Sequence, residues 1–239
     1  MNPSQTVQQE DKLSVLRKYE KYITKDGEAI LFSTKSCRGE EVNCPNLLKA
    51  PRPLAKRMKE KLDELSFSQR LYDKIPAKIL PHMTFKMAVA GCPNSCSLPQ
   101  IKDFGVIAQE SVVVDPSCEC SLCMKCLKEC REGAITIMED RTVIIHQEKC
   151  VKCGLCARVC HTGSIKIDRV GYSIVLGGKV GRHPRFALQL MELATEEQVI
   201  KALEICAEKI LAENGRNLYG FLAKESFHDK LREALKEVI

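Results

Sequence analysis

The chain has 239 residues, of which 44% are hydrophobic and 28% charged, a composition typical of a globular protein with its own core. No apolar run approaches the roughly 20 residues of a membrane-spanning helix, and the polar N-terminus lacks the hydrophobic stretch of a signal peptide. The formal charge of +6 arises without a dense Lys/Arg run interleaved with aromatic residues, so no nucleic-acid partner is expected. We therefore expect a cytoplasmic protein without direct membrane insertion.

The first part of the chain predicts short strands and one basic amphipathic helix. Residues 1–29 are polar with loose helical periodicity, and we predict a mobile or peripheral N-terminal arm. A short apolar run at 29–32 predicts a strand, and the apolar spacing from 53 to 65 predicts a helix whose basic face is solvated. Residues 83–90 and 104–108 follow with the pattern of two further strands.

The middle of the chain changes composition and predicts an inserted domain. Cysteines dominate residues 116–168, and short β-like segments at 134–137 and 164–167 follow two cysteine runs. The earlier strand pattern resumes at 172–176. Residues 116–168 are therefore predicted to interrupt a larger α/β domain formed by 30–115 and 169–239. The overall fold class expected is α+β.

Two helices are predicted after the insertion. The segment 195–211 begins with a capping box formed by Thr195 and Gln198 and continues with an apolar stripe. Cys206 lies on the apolar side of this helix and is expected to be a core residue. A second helix is predicted over 219–238.

Eight of the fourteen cysteines form two matching runs, which predict iron–sulfur clusters rather than disulfides in a reducing compartment. Each run has C-x2-C-x2-C-x3-C spacing, in which three cysteines surround one [4Fe–4S] cube and the fourth reaches the neighbouring cube. One predicted cluster is held by Cys120, Cys123, Cys126 and Cys160, and the other by Cys130, Cys150, Cys153 and Cys156. Paired zinc sites are the alternative, because C-x2-C is also half of a zinc site.

This doubled pattern resembles a bacterial two-cluster ferredoxin over roughly 45 residues. It departs from that pattern after each fourth cysteine, where Arg131 and His161 stand in place of the usual proline. Cys118 lies just outside the run and is expected to be a spare thiol.

A further set of four cysteines, Cys37, Cys44, Cys92 and Cys96, comes from two distant segments. The segment GCPNSC at 91–96, where Gly91 allows close backbone approach, is followed by DFGV at 103–106 and GGKVGRHPR at 177–185. Together these segments resemble the sirohaem–[4Fe–4S] half of the sulfite and nitrite reductase family, from about residue 30 to the C-terminus. A ferredoxin insertion between them is similar to the subunits of dissimilatory sulfite reductases.

The resemblance implies a third [4Fe–4S] cluster on these four cysteines, with Cys96 bridging the cube to a sirohaem iron. It also implies that the GGKVGR segment lies near sirohaem, where glycines let N–H groups approach its carboxylates and cations neutralise them. The implied cofactor-binding residues are Gly177, Gly178, Lys179, Gly181, Arg182 and Arg185.

Two departures from the family bear on the function. The first cysteine pair is spaced C-x6-C, one residue longer than is usual in the family, and the chain has room for only one of the two repeats that surround a sirohaem. The anion-binding Arg/Lys cluster would come largely from the other repeat. Within this chain Lys35, Arg38 and His183 are candidate substitutes, with an ordinary surface position as the alternative for each.

Two functions are therefore expected. In the first, electrons pass through the ferredoxin-type clusters to a sirohaem centre that reduces an inorganic oxyanion, sulfite or nitrite. An electron-donor protein and a second copy or related subunit would then be partners. In the second, the chain is an electron-transfer subunit that feeds a partner oxidoreductase. A third role, with the tetrapyrrole as substrate or in an unusual metal form, also stays open.

Overall fold

The computed structural model describes residues 12–75, 78–213 and 218–238, which form two β-sheets and six α-helices. The strands are β1 (Phe32–Ser36), β2 (Phe85–Ala90), β3 (Phe104–Val114), β4 (Ile135–Ile137), β5 (Val143–Ile145), β6 (Ile165–Leu176) and β7 (Leu188–Ala194). The helices are α1 (Pro51–Glu64), α2 (Phe67–Lys74), α3 (Lys125–Glu129), α4 (Leu155–Val159), α5 (Glu196–Ala212) and α6 (Glu225–Lys236). This mixed architecture confirms the predicted α+β fold class.

The main sheet has five strands in the order β1-β2-β3-β6-β7. Strands β1, β2 and β3 are parallel, whereas β6 is antiparallel to β3 and β7 is antiparallel to β6. Because β1 and β2 are parallel neighbours, the loops that follow them leave the sheet at the same edge. That edge carries the predicted site residues Cys37, Cys44, Cys92 and Cys96.

A single large hydrophobic core joins the main sheet to its helices. Helix α1 has proline at its first position, where the missing N–H loses no helical bond, and it buries Leu54, Met58 and Leu62 completely. Phe85 of β2 and Leu203 of α5 belong to the same buried cluster. Burial of each such side chain contributes about 2 kcal/mol to folding.

Helix α5 forms as the sequence predicts. The Thr195 side chain accepts the Gln198 N–H at 3.1 Å, and the Gln198 side chain accepts the Thr195 N–H at 2.9 Å, which completes the capping box. Cys206 of this helix is fully buried in the main hydrophobic core. The predicted second helix at 219–238 is divided into a 3-10 turn at Gly220–Ala223 and α6.

The N-terminal part departs from the sequence prediction. Residues 1–11 lie outside the described residues, but Leu13, Leu16 and Tyr22 are buried in the main core and do not form a peripheral arm. The strand predicted at 29–32 is also wrong in its position. Ala29 forms an isolated bridge with Ile23, and β1 starts only at Phe32, where pairing with β2 begins.

Strands β3 and β6 extend far beyond their predicted ends. The segments predicted separately at 164–167 and 172–176 are one strand, β6, because it pairs with β3 along its length despite the polar residues between them. A bulge between Glu110 and Val112 absorbs a shift in register. The cysteine-rich residues 116–168 add the small sheet β4-β5 and a second buried cluster. The division into an inserted domain stays a prediction, since β6 runs through residues 168–169 without a break.

Candidate iron–sulfur site

The four cysteines predicted from two distant segments come together where the carboxyl ends of β1 and β2 meet. Cys37 directly follows β1, and its N–H donates to the Val89 carbonyl of β2 at 3.1 Å. Cys92 and Cys96 lie on the loop after β2. Cys44 lies on the loop after β1, where its N–H donates to the Gly39 carbonyl at 2.9 Å. All four line one open cavity of about 140 Å³, beside Arg38, Val42, Leu47 and Ala90.

Gly91 permits the close approach of the two loops, as the sequence predicts. Its N–H donates to the Cys37 Sγ at 3.3 Å, and its carbonyl accepts the Leu48 N–H at 2.9 Å. A Cβ at this position would lie 2.6 Å from the Lys49 carbonyl oxygen, closer than real Cβ atoms come. Any larger residue would therefore separate the cysteine-bearing loops.

The two cysteine runs form a first cysteine loop (residues 120–130) and a second cysteine loop (residues 150–160), which exchange their last members. One cavity is lined by Cys120, Cys123, Cys126 and Cys160, called the first set below. Another cavity is lined by Cys130, Cys150, Cys153 and Cys156, called the second set. The structure therefore brings together the same two groups that the spacing predicts. Ligation of iron by these groups stays a prediction.

Sulfur atoms in these sets accept hydrogen bonds from the backbone. The N–H groups of Leu122, Ala134 and Ile165 donate to the Sγ atoms of Cys120, Cys130 and Cys160 at 3.3–3.4 Å. Such donors stabilise negative charge on sulfur, which thiolates bound to iron carry. These hydrogen bonds would stabilise thiolates at Cys120, Cys130 and Cys160, and iron ligation by them stays a prediction.

Individual thiols have different electrostatic surroundings, and burial raises the pKa of members of both sets, including Cys126 in the first. Burial raises the pKa of the Cys156 thiol to about 12, with nearby Cys153 adding to the effect. Burial also acts to raise the pKa of Cys160, but the Ser164 hydroxyl and Ile165 N–H outweigh it and hold that pKa at about 7. Among the described residues, no group of three or more His, Cys, Asp or Glu side chains converges closely enough for a single metal ion.

The GGKVGR segment forms an exposed basic hairpin after β6. Lys179 and Arg185 exchange two backbone hydrogen bonds of 3.0 Å, and the Arg185 Nε donates to the Gly177 carbonyl at 2.6 Å. Lys179, Arg182 and Arg185 are exposed, as is the apolar Phe186 at 77%. The hairpin is attached to the segment between Cys96 and β3, where the Ala187 N–H donates to the Gln100 carbonyl at 2.7 Å.

The glycines of this hairpin differ in their surroundings. Gly177 and Gly178 are buried, whereas Gly181 lies at the exposed tip with a φ of 129°. His183 is also exposed. The structure thus places the hairpin beside the segment between β2 and β3 that carries Cys92 and Cys96. The role of the hairpin in cofactor binding stays a prediction.

A basic group around Asp103 was missed by the sequence analysis. Burial raises the pKa of the Asp103 carboxyl to about 6, against the opposing effects of the Lys86 N–H, which donates at 2.8 Å, and of nearby cations. Burial lowers the pKa of Lys102, and the positive charges of Lys35 and Lys86 add to this. Lys35 is thus part of a positive surface with Lys86 and Lys102. Lys35 lies in β1, Lys86 in β2 and Lys102 just before β3, so the pairing of these strands makes them neighbours.

Comparisons with known proteins identify the chain's family. The family model for the nitrite and sulphite reductase 4Fe-4S domain matches residues 30–212. The chain belongs to this family. It is 29% identical over 177 residues to the coenzyme F420-dependent sulfite reductase of Methanocaldococcus jannaschii, which covers 74% of this chain and 26% of that protein. It is 28% identical over 203 residues to the dissimilatory-type sulfite reductase subunit alpha of Allochromatium vinosum, covering 75% and 45% of the two chains.

Two further similarities concern a part of the chain and its fold. A 59-residue stretch is 32% identical to an uncharacterised ferredoxin of Methanocaldococcus jannaschii, covering 24% of this chain and 95% of the ferredoxin. The crystal structure of dissimilatory sulfite reductase I shares the fold at a TM-score of 0.54 and 19% identity, over 85% of this chain and 51% of that one. The chain thus spans only about a quarter of the F420-dependent enzyme and less than half of the dissimilatory subunit. Within the described residues, no helix is long and apolar enough to cross a membrane.

Proposed function

We propose that the chain is an iron–sulfur oxidoreductase subunit that takes part in reducing sulfite or nitrite in the cytoplasm. Cys37, Cys44, Cys92 and Cys96 would hold a [4Fe–4S] cluster beside sirohaem. Residues 116–168 would be an inserted ferredoxin-type domain whose two [4Fe–4S] clusters pass electrons to that centre. One observation carries the proposal: twelve cysteines fall into three groups of four, and each group lines its own cavity.

The residues fit a four-iron cube at each of the three places. A cube offers four iron corners, and each corner takes one thiolate. Backbone N–H groups donate to a sulfur in every set, including the Gly91 N–H to Cys37. A zinc ion would instead need four ligands within about 2.3 Å of one point. Four cysteines around a cavity therefore favour clusters over paired zinc sites.

The basic hairpin fits the edge of an anionic tetrapyrrole. Lys179, Arg182 and Arg185 would neutralise its carboxylates, while the exposed Val180 and Phe186 would cover part of its apolar face. Buried Gly177 and Gly178 would keep the hairpin close to the cysteine loop. When bound, sirohaem would supply the iron at which an oxyanion is reduced. The positive surface of Lys35, Lys86 and Lys102 would favour the approach of that anion.

A second protein chain would complete the sirohaem site. Val180 is 66% exposed and Phe186 is 77% exposed, so this chain offers only one wall to a macrocycle. A second copy or a related subunit would supply the other wall and further anion-binding residues. The same exposure favours a second candidate function, an electron-transfer subunit that binds its clusters without sirohaem and feeds a partner oxidoreductase. An electron-donor protein is a partner in either case.

Anaerobic purification with quantification of iron, sulfide and tetrapyrrole tests the proposal. We expect about twelve irons per chain from three cubes, together with a tetrapyrrole absorption band. About twelve irons without tetrapyrrole would favour the electron-transfer function, and about eight would show that the Cys37 group binds no cluster. Cys96→Ser should remove about four irons, whereas Cys118→Ser, outside all three groups, should remove none.

A further inference from the structure

The three cysteine cavities lie in a fixed order along one strand, β3. Ala90, which lines the Cys37 cavity, pairs with Ile107 of β3. Val112 lines the cavity of the second set. Ile165, which pairs with Val114, lines the cavity of the first set. At about 3.3 Å per residue, the second set lies about 17 Å along the strand from Ile107 and the first set about 23 Å.

The second cysteine loop is fastened to the main sheet at a point between these levels. The Glu110 N–H donates to the Lys152 carbonyl at 2.7 Å, and Glu110 forms an isolated parallel bridge with Cys153. The Glu110 carboxylate, in a residue only 8% exposed, is paired with the Arg158 guanidinium of α4. Arg158 also donates to the Cys153 carbonyl at 3.4 Å. Glu110 thus connects β3 to the second cysteine loop at two places, through its N–H at Lys152 and through its carboxylate at Arg158.

The chain contains a natural comparison for this attachment. In the first cysteine loop, Lys128 occupies the position that matches Arg158, but among the described residues it forms no ion pair, whereas Arg158 is paired with Glu110. Cys123, which matches Cys153, is exposed, as is the neighbouring Met124. The second loop is therefore fastened to β3 by Glu110, whereas the first loop has no matching attachment among the described residues.

We propose that Glu110 and Arg158 are positioning residues that hold the second cysteine loop against β3, so that the second set stands next to the Cys37 group and the first set is the outer one. This rests on the proposed function, because the order matters only if the three groups hold clusters. A single electron entering the outer set would then reach the Cys37 group through the second set. The pair has a positioning role because neither side chain lines a cysteine cavity.

The order is tested by electron paramagnetic resonance of the reduced holoprotein, since magnetic coupling between two clusters falls steeply with their separation. Cys153→Ser removes a member of the second set, and Cys123→Ser removes the matching member of the first. We expect Cys153→Ser to abolish the broadening of the signal from the Cys37 cluster and Cys123→Ser to leave most of it. The reverse result, or equal effects, would overturn the order.

The positioning role is tested by hydrogen exchange of the same holoprotein. Arg158→Gln should speed exchange of the amides at 110 and 150–156 about tenfold, because a charged hydrogen bond to a buried carboxylate is lost. The matched Lys128→Gln should change neither, and Arg158→Lys should restore part of the protection. Glu110→Gln is the second variant if Arg158→Gln does not fold. Equal exchange in Arg158→Gln and Lys128→Gln would refute the role.

Iron content separates the failure of this inference from that of the proposed function. If the wild-type protein holds no cluster at the Cys37 group, both fall. If it holds about twelve irons and the paired variants behave alike, only the positioning inference falls.

Discussion

The first and second cysteine loops follow the same backbone path but have different neighbours. Leu122 and Lys152 occupy matching positions in the two runs with φ of 57° and 58°, and Met124 and Gly154 match with φ of 57° and 68°. A left-handed conformation costs a residue with a side chain about 1–2 kcal/mol. Its recurrence at matching positions indicates that both loops are shaped for the same kind of ligand.

The difference lies in what surrounds each loop. The second loop lies on the main sheet, where Glu110 and Glu192 pair with its Arg158 and Lys152. The first loop has no matching attachment among these contacts, since its equivalent positions are Lys128 and Leu122. Two copies of a repeated sequence can therefore carry the same set of cysteines while only one copy is attached to the main sheet by ion pairs.

The largest effect should come from the left-handed residue after the second cysteine of each run. At Gly154, an added Cβ would overlap the Glu110 carboxylate, so Gly154→Ala combines backbone strain with displacement of the anchoring residue. We expect a loss of about 3 kcal/mol in the free energy of unfolding. At the matching position, Met124→Gly removes strain and should be neutral or slightly stabilising.

Denaturant unfolding of the two holoproteins measures this contrast. Iron content would reveal whether Gly154→Ala also loses the second cluster. A Gly154→Ala protein as stable as Met124→Gly would mean that the contact between the second loop and β3 is not tight.

The next effect concerns the hydrogen bonds to sulfur. In the first set, the Ser164 hydroxyl lies 3.2 Å from the Cys160 Sγ and accepts from the Thr162 hydroxyl. Ala134 holds the matching position in the other half of the repeat, near Cys130 of the second set. A donor to sulfur stabilises the more negative reduced cluster. Ser164→Ala should therefore lower the potential of the first cluster by roughly 40 mV, the equivalent of about 1 kcal/mol for one electron.

The reciprocal substitution makes this prediction sharper. Ala134→Ser adds a hydroxyl near Cys130 and should raise the potential of the second cluster by a similar amount. A redox titration followed by electron paramagnetic resonance resolves both clusters. Shifts of both variants in the same cluster would contradict the assignment of Cys130 and Cys160 to opposite sets, and shifts of the same sign would contradict the effect of the hydroxyl donor.

The contrast between the loops also shows what the sequence could predict. The two crossed groups follow from spacing, because three closely spaced cysteines must face one cube and the fourth must face another. The grouping of Cys37 with Cys92 came only through the family resemblance, since their loops meet through parallel pairing of β1 and β2. Residues 109–111 are polar and ended the predicted strand, although β3 continues.

The attachment of the second loop was not predictable for a related reason. Glu110 and Arg158 are far apart in sequence and look like ordinary surface charges. Their contact lies beside the bulge between Glu110 and Val112, an irregularity that changes the local direction of a strand. A bulge leaves no clear mark in a single sequence, so only the structure reveals which half of the repeat is fastened.

The smallest effect should come from the outer tether of the second loop, the pair between Lys152 and Glu192 at 2.8 Å. Burial acts to raise the pKa of Glu192, but hydrogen bonds from Lys152 and Gln189 together with the charge of Lys152 outweigh it and hold the pKa below its usual value. The native state therefore binds this proton more weakly than the unfolded chain does. Stability from the pair is fully present above the usual glutamate pKa and is lost as the pH falls through the lowered one.

Glu192→Gln should consequently destabilise the protein by about 0.5 kcal/mol at neutral pH and by less in acid, where the wild type loses the same pair. Glu119→Gln is the control, because it removes the exposed pair with Arg141 near the first loop and leaves the second loop attached. Hydrogen exchange of residues 150–156 at pH 7 and near pH 4 distinguishes the two. Faster exchange in Glu192→Gln alone would show that the main sheet holds the second loop at two points, whereas equal exchange in both variants would leave Glu110 and Arg158 as the attachment that matters.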